Sequence, residues 1–174
     1  MRRGSIAVAV SVAVGVGLVA ACSDKAMPGT DLGTFRVVAN KKVDTCGAGV
    51  GAADPWIFTV QLSREVSTLY WSTMDGQPLL SAPLDAHSDA TLTTTVTANV
   101  DGTDAALGPC TMQRSDQIVV ALGSGFPPGS FAATLTYAIA PVTGSTCDDQ
   151  LTTSGGTYDA LPCTLSYDAS ASRQ

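Results

Sequence analysis

The stretch ATLTTTVTANV, residues 90–100, sorts its side chains by parity. Ala90, Leu92, Thr94, Val96, Ala98 and Val100 fall on one face of an extended chain, and Thr91, Thr93, Thr95 and Thr97 on the other. Successive side chains of a strand point to opposite faces, whereas a helix stacks residues three and four apart. Threonine, branched at Cβ, suits the wet side of a pleated sheet. The same period of two recurs along the chain. Residues 33–43 put Phe35, Val37 and Ala39 opposite Arg36 and Asn40, and PWIFTVQLSR aligns Trp56, Phe58, Val60 and Leu62. SFAATLTYAI aligns Phe131, Ala133, Leu135, Tyr137 and Ile139, and YDALPCTLSYDA alternates through Cys163, Leu165 and Tyr167.

Turn chemistry separates these runs. MDGQP follows STLYWS and leads into LLSAPL, DGTD follows residue 100, and GSGFPPGS precedes residue 131. Aspartate–glycine pairs mark tight turns, because glycine accepts positive φ and aspartate hydrogen-bonds its own backbone. CTMQRSDQIVVAL reads as a strand or strand pair broken near Ser115 and Asp116, and Pro162 reads as an edge position or bulge in the last strand. About eight strands and no amphipathic helix predict an all-β antiparallel domain. An up-and-down meander barrel is expected first, since hairpin-like turns join neighbours in order, with a β-sandwich second. Gly33-Thr34-Phe35, opening the first strand, is similar to the lipocalin G-x-W motif with Phe in place of Trp. That resemblance implies a lipocalin-like barrel shape and assigns no ligand.

The N-terminus carries an address. Met1-Arg2-Arg3 is a basic start, residues 6–21 are almost entirely Ala, Val, Gly and Leu, and Ala20-Ala21 precede Cys22. A basic start, an apolar middle and a small-residue cut site form an export signal, too short for a comfortable span of about 20 residues. Val19-Ala20-Ala21-Cys22 resembles the bacterial lipobox, with Val where Leu is usual. The resemblance implies that residues 1–21 are removed and that the thiol of Cys22 is acylated with palmitate-type chains. Residues 22–32, SDKAMPGTDL after the cysteine, then form a lipidated tether, and residues 33–174 the β domain. Each buried CH₂ contributes about 0.8 kcal/mol, so two or three chains anchor a protein that spans nothing. The expected place is the bacterial cell envelope, and Ser23, which resembles the residues that permit transfer to an outer membrane in diderm lipoproteins, implies the outer membrane or periplasmic face.

Removing residues 1–21 takes Arg2 and Arg3 away and leaves 153 residues with seven basic and fifteen acidic side chains, a formal charge of −8. That balance repels phosphate backbones, and Lys41-Lys42 is the only basic pair, so nucleic acid is not an expected partner. Four cysteines remain: Cys46, Cys110, Cys147 and Cys163. An even number in an exported chain reads as two disulfides, with three pairings open. Cys147 and Cys163 lie close together around the turn-rich TTSGGT, so Cys147–Cys163 is favoured, which leaves Cys46–Cys110. Zinc is the rival use, but no C-x-x-C occurs.

Catalytic sets are thin. His87 is the single histidine, between Asp85 and Asp89 in LDAHSDA. If that segment is extended, neighbours at i and i+2 stand roughly 6.7 Å apart and the outer pair about 13 Å, too far to share one ion. A solvated connection explains it better. Glu65 is the only glutamate, and most aspartates sit in turns such as Asp75-Gly76, Asp101-Gly102 and Asp148-Asp149. DGTD lacks the further ligands of a calcium loop, and no G-x-S-x-G or phosphate-cradling loop occurs. Trp56, Phe58, Tyr70 and Trp71 fit a core or a pocket wall. The expectation is a non-enzymatic envelope lipoprotein, with no cofactor and no metal, acting by binding or as a structural component. Its partners would be the membrane through Cys22 and an envelope protein or small apolar ligand. The alternatives are a carrier using a hollow barrel and, behind it, a metal-dependent hydrolase around His87.

Overall fold

The computed structural model describes residues 27–102, 109–123 and 125–174. Each alternating run becomes a strand: β1 (Thr30–Asp44), β2 (Trp56–Glu65), β3 (Thr68–Thr73), β4 (Leu80–Pro83), β5 (Asp89–Val100), β6 (Cys110–Ala121), β7 (Ser130–Pro141) and β8 (Cys163–Arg173). Among the described residues there is no α-helix, and so none long enough to cross a membrane. Two short 3-10 turns, Asp148–Gln150 and Thr152–Ser154, lie between β7 and β8.

All eight strands join one antiparallel sheet in the order β4-β3-β2-β1-β8-β7-β6-β5. Every strand lies beside its neighbours in sequence, and β1 pairs with β8 from Phe35↔Arg173 to Asp44↔Leu165. An isolated bridge, Leu84↔Ala90, joins β4 to β5. The sheet therefore curls into a nearly closed meander barrel rather than a sandwich.

Two readings of the sequence need correction. The segment 110–121 does not break at Ser115 and Asp116. It is one strand, paired residue by residue with β5 and, from Met112, with β7. Pro162 is not within a strand; it precedes β8, which is paired on both sides, so every N–H of β8 remains available to its neighbours.

The inward rows meet as their parity requires. Phe35, Val37 and Ala39 of β1, Val60 and Leu62 of β2, and Leu69 of β3 are completely buried. Phe131 of β7 sits edge-on to Phe35 at 5.0 Å and to Trp71 at 5.8 Å, measured between ring centroids, which fills the middle of the barrel with aromatic rings. Gly33 marks a bulge on β1 between Asp31 and its own position. Its φ of +112° favours glycine, and the Arg173 guanidinium packs into the space a Cβ would take.

The barrel has two unlike ends. At one end lie the connections 66–67, 84–88, 122–123 and 125–129, together with the chain's entry at Thr30 and exit at Arg173. At the other lie residues 45–55, 74–79, 101–102, 109 and 142–162. Both disulfides lie at this long-loop end, and their pairing differs from the expected one. The bonds are Cys46–Cys163 and Cys110–Cys147, not Cys147–Cys163 and Cys46–Cys110. Adjacent strands explain it. β1 ends where β8 begins, and the Thr45 N–H donates to the Thr164 carbonyl at 3.0 Å, so Cys46 faces Cys163. β6 begins where β7 ends, and the Val142 N–H donates to the Thr111 carbonyl at 2.9 Å, which carries Cys147 back to Cys110. Sequence proximity is no guide when a meander brings distant strand ends together.

Candidate functional site

Strand β4 has four residues and β5 has twelve, so the wall between them stays incomplete. Along the inward row of β5, Ala90 and Leu92 are buried and Thr94 is half-buried, but Val96 is 49% exposed and Ala98 is exposed. The row loses its cover past the Leu84↔Ala90 bridge. Beside that uncovered stretch, Arg114 is the exposed residue of an otherwise buried inner row on β6.

That face carries charge. Arg114 and Asp116 share parity with buried Met112, Ile118 and Val120, so both point inward. Arg114 Nε and Nη2 donate to Asp116 Oδ1 and Oδ2 at 2.8 and 2.9 Å. The two parallel bonds use the guanidinium fork on a carboxylate, the geometry that makes such a pair strong and directional. Asp116 is 8% exposed, while the Arg114 side chain is about half exposed. A carboxylate that buried needs its partner, because an unpaired interior charge is costly.

The Arg114 guanidinium carbon also lies 5.6 Å from the ring centre of Tyr137 on β7, the residue opposite Asp116 in register. Burial pushes the Tyr137 phenol well above its ordinary value, and the carboxylates of Asp116 and Asp75 push it further. The phenol is therefore neutral at any physiological pH. Across the gap, on the inward row of β3, Trp71 Nε1 and Thr73 Oγ1 are buried without a hydrogen-bond partner among the described residues. Buried polar groups are normally satisfied, so this stretch of wall has spare hydrogen-bonding capacity. Guanidinium, carboxylate, phenol and an exposed valine can bind a small polar group or a side chain. They include no activated nucleophile.

Asp85, His87 and Asp89 do not line up. Their segment is a turn, with Ser88 at φ +67°, not an extended strand. Asp85 Oδ1 accepts the backbone N–H groups of His87 and Asp89 at 2.8 and 2.9 Å, and those bonds, Asp89's first, hold its carboxyl below the usual value. The carboxylate is thus employed in closing the β4–β5 hairpin. His87 instead lines an open hollow of about 590 Å³ at the tight-turn end with Arg64, Ser88, Leu122, Gly123, Gly125 and Phe126. Among the described residues, no three His, Cys, Asp or Glu side chains cluster as metal ligands.

The other candidates have structural places. Trp56 stacks on Phe58 at 4.3 Å and meets Tyr167 edge-on at 5.8 Å, and Tyr70 donates its hydroxyl to Glu65 at 3.2 Å. Cys22 and Asp104 lie outside the described residues. Sequence reading missed Arg114 and Asp116 because charged neighbours around a serine look like a turn. The signal was present in the parity of Met112, Arg114, Asp116, Ile118 and Val120. Comparison of the chain with models of known protein families, with curated proteins and with solved structures finds no match in any of the three.

Proposed function

We propose that this chain is a lipid-anchored bacterial envelope protein whose β barrel acts as a non-enzymatic binding domain. The anchor half of the reading rests on Val19-Ala20-Ala21-Cys22 behind a basic and apolar leader. The binding half rests on one observation: the uncovered inner wall, where half-exposed Arg114 and exposed Val96 stand beside each other in register. A guanidinium beside an apolar methyl pair suits a partner that offers an acidic or carbonyl group next to an aliphatic one. The interior favours binding at this gap over carriage inside the barrel, because Phe35, Trp71, Phe131 and Leu135 fill the middle with side chains.

Metabolic labelling with an alkynyl fatty acid tests the anchor. The native chain takes up label and sediments with membranes, and Cys22→Ser takes up none and is released. Labelling that persists in Cys22→Ser refutes it. For the binding half, cross-linking from a photoreactive residue at position 96 in cells should capture a partner that the same residue at outward-facing Thr95 does not. Equal capture at both positions would count against the gap.

A further inference from the structure

The hairpin end of the barrel has the marks of a surface that rests on something apolar. Val66 is the tip of the β2–β3 turn, 87% exposed, with φ +54°. A β-branched residue in the left-handed region is a strained choice where glycine or asparagine would sit easily. Phe126, on the β6–β7 connection, is 55% exposed. One side chain joins the two. Arg64 Nε donates to the Val66 carbonyl at 2.6 Å, and its guanidinium carbon lies 4.8 Å from the centre of the Phe126 ring. Arg64 therefore ties the two apolar tips together, and with Phe126 and His87 it lines the hollow at this end.

The chain enters the barrel at this same point. Pro28 accepts a hydrogen bond from Ser63 Oγ at 2.6 Å, and Gly29 lies so close against the Arg64 carbonyl that a Cβ would overlap it. Pro28 stands six positions after Cys22, and a fully extended chain covers at most about 22 Å over that length. The far end, with both disulfides, is separated from this point by the length of the barrel.

From these we infer that the hairpin end, through Val66 and Phe126, is the face that seats on the lipid bilayer, leaving the disulfide end and the β4–β5 gap turned away from it. This rests on acylation of Cys22 as proposed above, and adds which face meets the membrane. The contact is apolar rather than electrostatic, because Glu65, Asp85 and Asp89 flank Arg64 and His87 at this end. Aromatic and aliphatic side chains partition into the boundary between headgroups and acyl chains, and a lipid chain that holds the protein there removes most of the cost of bringing them to it.

The test uses the acylated full-length product, purified from membranes and returned to zwitterionic vesicles containing bromine-labelled lipid. Val66→Trp places an indole at the hairpin tip, and Met74→Trp places one at the opposite end, where Met74 is 64% exposed. Trp56 and Trp71 contribute equally to both variants. The expected result is several-fold stronger bromine quenching of the added fluorescence in Val66→Trp than in Met74→Trp. A second measurement avoids mutation: on the native acylated protein, vesicles should slow amide exchange at residues 65–68, Phe126 and Gly129 and leave residues 74–77 and Leu79 unchanged. Equal quenching, quenching confined to Met74→Trp, or an unquenched Val66→Trp covered by another protein copy overturns the seat while leaving the anchor intact. A mass spectrum with no acyl group on Cys22 overturns both.

Discussion

The barrel is closed twice, and the two closures are built differently. Where the chain's first and last strands meet, β1 and β8 pair from Phe35↔Arg173 to Asp44↔Leu165, and Cys46–Cys163 locks the foot of the seam. In the middle of the chain, β4 meets β5 through the single bridge Leu84↔Ala90 and the hairpin around Asp85. The first seam joins residues far apart in sequence and has the entropy of that long loop to overcome. The second joins neighbours, needs little to hold it, and is left largely unzipped. A binding gap costs least where closure was never required for the fold, and that is where Arg114 reaches solvent over buried Asp116 and half-buried Tyr137. The strong seam has its own polar fastening at Tyr167, whose hydroxyl accepts the Ala52 N–H at 3.0 Å over Gly51. A Cβ on Gly51, at φ +88°, would meet that oxygen at 2.8 Å.

The contrast can be broken most forcefully at the disulfides. Joining residues 117 apart, Cys46–Cys163 should contribute about 5 kcal/mol in the chain-entropy model, against about 4 kcal/mol for Cys110–Cys147 with its separation of 37. Urea unfolding of Cys46→Ala/Cys163→Ala and Cys110→Ala/Cys147→Ala should show that order, and a reversed order would mean that the terminal seam is not the one under entropic load. Phe35→Ala, which empties a fully buried site beside Phe131, should cost about 4 kcal/mol by the same measurement. A loss below about 1 kcal/mol would indicate that the aromatic centre is loosely packed.

At the weak seam the effects are smaller and asymmetric. Arg114→Ala leaves the Asp116 carboxylate inside the wall without its partner, and should destabilise by about 1–2 kcal/mol, less than a fully buried pair because Arg114 is half exposed. Arg114→Ala combined with Asp116→Ala should recover part of that loss. A double variant no better than the single one would mean the pair is not coupled.

The smallest expected effect concerns acid. Both seams end on an aspartate whose folded carboxyl is held below the ordinary carboxylate range: Asp44, held down first by Lys41 and then by the amides of Gly47 and Cys46, and Asp85, held down by the amides of Asp89 and His87. A folded value below the unfolded one stabilises the native state above the unfolded value, and that contribution disappears as pH falls through the folded one. The protection of the Asp89 amide, taken relative to its intrinsic exchange rate, should therefore fall below about pH 4 in the native chain, and Asp85→Asn should flatten that dependence. A variant with the native acid profile would assign the loosening to other groups.

Most of the strand plan was legible because parity is a local property. Residues 33–43, 56–65, 90–100 and 131–139 show their faces without reference to any partner, and each lies within a strand whose inward row matches. Asp75-Gly76 was equally plain, since Gly76 takes φ +85° in the β3–β4 connection. The candidate site was not. Arg114 and Asp116 look like a break until β6 is seen paired on both sides, and their inward charges make sense only where the wall beside them is missing.

What the sequence determined by itself was the alternation, the turns and the all-β class, all set by contacts within a few residues. The tertiary structure decided which cysteines meet, which seam stays open and which end carries Val66 and Phe126 beside the chain's entry. These depend on which strand ends the barrel brings together, and nothing in the spacing of Cys46, Cys110, Cys147 and Cys163 encodes that. Pairing is a property of the closed sheet, and the sheet closes only when residues more than a hundred positions apart come into register.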